Sequence, residues 1–283
     1  MTTTPRTAGR ALSARALALA SLASISSTVA ACGDDGDALA DGALQVTIFG
    51  GAALEDRIQA NDVADGWTID VSRFLVAVSQ VSVGREGAAA ALVADETRVF
   101  DLTKPSNGLG HLVVVGDVAG GTYDALAFTI GPAESGALAG NATQADVAAM
   151  VAGGLTLLVE GTATKGGEAI DFAWTFTGET RFEPCEIAAR VDGGTASVQI
   201  AVHGERLFAD ALEEGTADLR FQAIADADSD DDDAVTLDEL GAAPLGTDYD
   251  VGGRVAIDDL RAFIEAQARG LAGVDAGDCT TVE

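Results

Sequence analysis

The sequence predicts a mainly β chain: an antiparallel β-sandwich followed by a small α-helical module. Three observations predict it. Short runs with an apolar residue at every second position recur through much of the chain, pairs of adjacent glycines separate several of them, and beyond Leu207 the apolar spacing changes to three and four. A period of two with one apolar face marks a half-buried strand, and a period near 3.6 marks a helix with one buried face.

Residues 1–31 read as a leader. Arg6, Arg10 and Arg15 occur there without any acidic residue, and the apolar run from Ala16 to Ala31 is too short and too rich in serine to be a permanent membrane span. The run ends in Val29-Ala30-Ala31-Cys32-Gly33, which resembles the lipobox of bacterial lipoproteins. That resemblance implies a signal peptide over 1–31, acylation of Cys32 as the new N-terminus, a membrane held through this lipid anchor, and a place in the cell envelope as an outer-membrane lipoprotein. Residues 32–43 are rich in Gly and Asp, with almost nothing to bury, and read as a flexible tether.

The sandwich is expected over residues 44–206. Strand patterns run through Val46-Ile48, Trp67-Ile69-Val71, Leu126-Phe128-Ile130, Leu155-Leu157-Val159, Ile170-Phe172-Trp174-Phe176 and Val198-Ile200-Val202. Turns between strands are expected at Gly120-Gly121, Gly153-Gly154, Gly166-Gly167 and Gly193-Gly194. Two stretches break the alternation. From Ser72 to Val83 the apolar residues fit neither face, which predicts a bulge or a single helical turn. From Asn141 to Val151 an Ala-rich run with Val147 and Met150 three apart predicts a short helix over one end of the sandwich. Trp67 and Trp174 fall on inward phases and belong to the core. Apart from Cys32, the cysteines are Cys185 and Cys279, and an export compartment predicts that they form a disulfide.

Residues 207–283 make up the helical module. Thr216 is placed to cap a helix carrying Leu219, Phe221, Ile224 and Ala225, and Thr236 with Glu239 forms a capping box for the next. A last helix is expected from Ile257 to Arg269, with Leu260, Phe263, Ile264 and Gln267 on one face and Gly270 as its stop. Between the first two lies Asp228 to Glu239, which reads D-S-D-D-D-D-A-V-T-L-D-E. On a twelve-position cation loop this puts carboxylates at positions 1, 3, 5 and 12 (Asp228, Asp230, Asp232 and Glu239), the Ala234 carbonyl at 7 and Thr236 at 9. Ca2+ takes about six to eight oxygens, and a long closing carboxylate supplies two of them.

Other registers lose ligands: starting at Asp226 puts Leu237 at position 12, and starting at Asp230 puts Ala234 at position 5. Position 6, where glycine serves best, is Asp233, a residue that tolerates the left-handed conformation at a cost of about 1 kcal/mol. Val235 at position 8 is the residue that would meet its counterpart in a paired loop. These residues resemble the EF-hand family at every ligand position, and the resemblance implies helix–loop–helix geometry with bound Ca2+.

A second candidate loop runs from Asp248 to Asp259, with Asp248, Asp250, the Arg254 carbonyl and Asp259 as ligands, Gly253 at position 6 and Val255 at position 8. Position 5 is Gly252 and the closing residue is the shorter Asp259, so only three carboxylates remain. The sequence therefore predicts a trimmed pair whose second loop is structural or weakly occupied.

Charge narrows the partners. With 16 Lys and Arg against 45 Asp and Glu, the net charge is -29, which excludes nucleic acid and anionic lipid surfaces and favours cations. No G-x-S-x-G, H-E-x-x-H or phosphate-binding loop occurs, so the primary reading is non-catalytic: a lipid-anchored, calcium-binding envelope protein. A hydrolase with an unrecognised site is the lesser alternative.

The segment from Trp67 to Ile130, with W-T-I-D-V-S-R-F, V-F-D-L and A-G-G-T-Y-D-A-L-A-F-T-I-G, resembles the envelope β-domain family typified by the methanobactin-associated copper protein. This resemblance implies an envelope sandwich and, as an alternative function, copper binding. His111 and His203 are the two histidines, no copper-ligand motif matches, and no copper ligand is assigned.

Overall fold

Seventeen residues of one strand, Thr68–Gly84, run through the middle of the molecule, and the rest of the fold is laid on them. The computed structural model describes residues 38–213, 217–254, 256–274 and 277–282. The leader, Cys32, the first part of the tether, Thr216 and Val255 lie outside the described residues.

In chain order the elements are β1 (Gly42–Phe49), α1 (Gly51–Glu55), β2 (Thr68–Gly84), β3 (Leu92–Ala94), β4 (Arg98–Asp101), β5 (His111–Val118), β6 (Gly121–Ile130), β7 (Leu138–Ala139) and α2 (Gln144–Gly153). Then come β8 (Leu157–Lys165), β9 (Glu168–Phe176), β10 (Thr180–Val191), β11 (Thr195–Val202) and a 3-10 turn (Gly204–Phe208). The remainder is α3 (Gln222–Ala225), β12 (Ala234–Val235), α4 (Leu237–Ala242), α5 (Leu260–Arg269), β13 (Ala272–Val274) and β14 (Cys279–Val282).

Two sheets pack in a sandwich-like arrangement. The smaller has the order β13-β11-β1-β5, and the larger has β12-β9-β8-β2-β6-β10-β14, with β3 and β4 also on β2 and β7 on β4. Most pairs are antiparallel, as the alternation predicts. β1 departs from this and pairs parallel with β11, with Val46 opposite Val198 and Ile48 opposite Ile200. No hairpin joins these strands, so no turn fixes their direction and burial decides it. Leu44, Val46 and Ile48 from the small sheet and Phe74, Val76, Phe128, Phe172 and Trp174 from the large one share a single apolar core. Fully burying each such side chain contributes about 1.5–3 kcal/mol. Phe128 and Phe182 stack at 4.7 Å between ring centroids.

The apolar run within 72–83 holds the expected bulge rather than a helical turn. It stays in β2, with register shifts between Val71 and Arg73 against β8 and between Ser79 and Ser82 against β6. Both phases are apolar because both faces are covered. Phe74, Val76 and Val78 face the main core, whereas Leu75 and Ala77 join Val99, Leu158, Val147 and Met150 in a second cluster. The last two belong to α2, so this helix lies over a face of the larger sheet rather than over an end of the sandwich. Thr143 caps it in a capping box with Asp146, and Gly154, at φ 58°, ends it. Gly153-Gly154 is therefore a helix stop. Gly166 and Gly167, at φ 63° and 101°, do turn a hairpin, between β8 and β9.

Residues 38–283 form one compact unit. Phe208, Phe221, Ile224, Val235, Leu240, Leu260 and Ile264 belong to the same core as Trp67, Phe172 and Trp174. The helices are shorter than the periodicity implies. α3 is a single turn, and Leu219 lies outside it, its backbone bridged to Val63 and Ala209. The cap of α3 comes from far away: one Asp65 oxygen accepts from the backbone N–H of Phe221 at 2.9 Å and of Gln222 at 2.7 Å. α5 begins three residues later than Ile257 because Asp259 is the residue that caps it, accepting from Ala262 N–H at 2.7 Å. Cys185 and Cys279 are joined, and this bond fixes β14 beside β10.

Candidate metal centre

Local sequence builds the acidic loop. After α3 ends at Ala225, the chain reaches β12 through two left-handed residues, Asp231 at φ 58° and Asp233 at φ 62°. Asp233 adopts the conformation its position demands; the second left-handed residue was not foreseen. Asp228 ties the loop together, its two oxygens accepting from Asp232 N–H at 3.3 Å and Asp233 N–H at 3.0 Å. Asp232 accepts from Ala234 N–H at 3.0 Å. Ligand oxygens of Asp228, Asp230 and Asp232 all lie within 4.8 Å of one another, and among the described residues no other group of three or more potential metal ligands does so.

Glu239 closes the loop from α4. One of its oxygens accepts from Thr236 N–H and hydroxyl, both at 2.9 Å, while the Thr236 hydroxyl accepts from Glu239 N–H at 3.3 Å. This is the capping box that the sequence predicts. The other oxygen reaches back to Ser229, accepting from its N–H at 3.0 Å and its hydroxyl at 3.2 Å. Those N–H donors hold the Glu239 carboxyl below the usual range, first through Thr236 and then through Ser229. Asp230 shifts the other way. The charge of Asp232 raises it most, followed by desolvation and the charges of Glu239 and Asp228. Four carboxylates thus share one electrostatic environment.

The loop is fastened to the sandwich. Val235 pairs with Phe172 of β9, Ala234 pairs with Asp171, and Asp171 N–H donates to the Asp233 carbonyl at 2.8 Å. The sequence places Val235 against a counterpart loop; its partner is instead the open side of β9, which supplies the free backbone groups such a pairing requires. Trp174 completes the attachment, its indole N–H donating to the Val235 carbonyl at 3.0 Å. Trp67 does the same for the preceding segment, donating to the Gln222 side chain at 3.1 Å. Both tryptophans lie in the core, as the alternation predicts. Their role as donors to residues 222 and 235 was missed, although a buried indole N–H must find an acceptor somewhere.

Residues 248–259 are arranged differently. Asp250 accepts from Gly252 N–H at 2.9 Å, and its backbone bridges Ala211. The Arg254 carbonyl accepts from Ile257 N–H at 3.4 Å, and Asp259 serves as the cap of α5. Glu239 lies inside the first turn of its helix whereas Asp259 precedes its own, so the two closing residues are not equivalent. The structure does not gather Asp248, Asp250 and Asp259 into a group like that of the first loop. The histidines have other neighbours. His111 Nε2 lies 3.0 Å from the Lys104 carbonyl, and His203 Nδ1 lies 3.2 Å from Glu205.

The chain matches no protein-family model, no curated protein and no solved structure at a significant level. Its chemistry has to be read from these side chains.

Proposed function

We propose that residues 228–239 bind Ca2+ in the manner of an EF-hand loop, through Asp228, Asp230, Asp232, the Ala234 carbonyl, Thr236 and Glu239. The protein is a non-catalytic envelope protein held to the membrane through Cys32, and calcium orders its C-terminal segment. The observation that carries this reading is the convergence of three Asp carboxylates, with the charge of Glu239 close enough to help raise the Asp230 carboxyl. Like charges so close repel one another, and a divalent cation converts that repulsion into attraction. Residues 248–259 are assigned a structural part.

Titration calorimetry and thermal unfolding test the loop. Calcium stabilises by RT ln(1 + [L]/Kd), about 2.7 kcal/mol at a hundredfold excess over Kd, and loops of extracellular modules bind at about 0.1–1 mM. Glu239→Ala abolishes the stabilisation. Asp226→Ala leaves most of it, because Asp226 stands outside the loop and accepts from the Gln222 side chain. Absence of a calcium-dependent rise in melting temperature, or a Glu239→Ala protein that responds as the wild type does, refutes the proposal. Anchoring is tested separately by Cys32→Ser, which releases the protein from the membrane fraction; an unchanged distribution ends that part of the reading.

A further inference from the structure

A cleft of about 510 Å³ opens between the end of α5, strands β13 and β14, and the 3-10 turn after β11. None of its lining residues belongs to the acidic loop. Arg206, Arg254, Arg269 and His203 all line it. That concentration of cationic and titratable nitrogen is unexpected in a chain with 45 acidic residues against 16 basic ones, where any exposed arginine has carboxylates to spare. Arg57, Arg73, Arg181, Arg190, Arg220 and Arg261 each pair with at least one carboxylate. Among the described residues Arg254 and Arg269 do not, as is also true of Arg85 and Arg98 elsewhere, but these two both line this one cleft. Among the described residues Asp278 is the acid in the lining.

A second observation is independent of charge. Gln267, only 1% exposed, also lines the cleft. Its amide N–H donates to the Ala211 carbonyl at 2.8 Å, while its side-chain oxygen is buried without a donor among the described residues. Unpaired guanidinium groups call for an oxyanion, because their forked donors match carboxylate or phosphate oxygens. A buried acceptor without a donor calls for a hydroxyl. Few small molecules supply both, and the volume matches those that do.

We propose that this cleft binds a sugar-sized, polyhydroxylated oxyanion, a sugar acid or a sugar phosphate, with its charged group on Arg254 and Arg269 and a hydroxyl donating to Gln267. Titration calorimetry on the full chain, with and without calcium, uses glucuronate, glucose 6-phosphate and neutral glucose as probes. The charged sugars bind and glucose does not. Arg254→Gln and Arg269→Gln each weaken binding about tenfold, the worth of one charge-assisted contact. Both side chains are exposed, so the fold tolerates the changes, and Arg190→Gln on a surface pair leaves binding untouched. Raised salt weakens binding. The proposal is overturned if neither charged sugar binds at tens of millimolar, if glucose binds as well as they do, or if both arginine variants bind as the wild type does.

Discussion

Asp230 and Glu239 respond to pH in opposite senses. The carboxyl of Asp230 lies above its ordinary value of 3.8, pushed there first by the charge of Asp232. A raised value in the folded state means that its contribution to stability is present below 3.8 and is lost as pH rises through the folded value, so at neutral pH the metal-free loop carries an unfavourable charge. Glu239, lowered from 4.5 by N–H donors, contributes stability above that value and loses it as pH falls through the folded one. Replacing Asp230 with Asn therefore separates folding from binding. In a chelator at neutral pH the Asp230→Asn protein melts above the wild type, and in calcium it gains less than the wild type does. A chelated variant that melts below the wild type contradicts the crowding argument.

At the scale of elements, the attachment of β12 to β9 joins the acidic loop to the core. Trp174 packs against Phe172 at 5.0 Å and Phe208 at 6.0 Å between centroids, while its indole N–H holds the Val235 carbonyl. Trp174→Phe keeps an aromatic body but leaves that carbonyl without its indole donor, at a cost of about 1–3 kcal/mol. Because Val235 lies within the loop, calcium affinity falls with stability. Both are read from melting curves and calorimetry, and an unchanged calcium affinity in the Trp174→Phe protein means that the indole contact does not support the loop.

What could be read in advance divides along the same line. The Thr236–Glu239 capping box, the left-handed Asp233 and the strand alternation were legible because each is decided within a few residues. The parallel pairing of β1 with β11, the Asp65 cap on α3 and the docking of Val235 on β9 were not. Each is settled by which surfaces meet in the folded chain, and periodicity says only that a face is apolar. The late start of α5 had a signal, since Asp259 is a better cap than Ala256, but the loop pattern assigned that aspartate to metal.

Across the whole molecule, one covalent bond joins the sandwich to the C-terminal segment. Cys185 and Cys279 are 94 residues apart in sequence. Closing a loop of that length stabilises by about 4 kcal/mol on loop entropy, an upper figure because measured effects often fall short. Cys279→Ser lowers the melting temperature by the corresponding amount, and reductant does the same to the wild type without affecting the variant. Equal melting of oxidised and reduced wild type contradicts this account.

The two strands that end the larger sheet, β12 beside β9 and β14 beside β10, both come from the C-terminal segment. A sheet with a bare outermost strand is a template for the next chain, since its unpaired N–H and C=O groups accept any extended partner. Here one border is a strand of two residues emerging from a run of aspartates, and the other is pinned by a disulfide. Losing either fastening does more than soften the fold. It uncovers β9 at Asp171 and Phe172, or β10 from Arg181 to Cys185, so the danger to a reduced or metal-stripped protein is self-association into extended sheets, held off mainly by its negative charge.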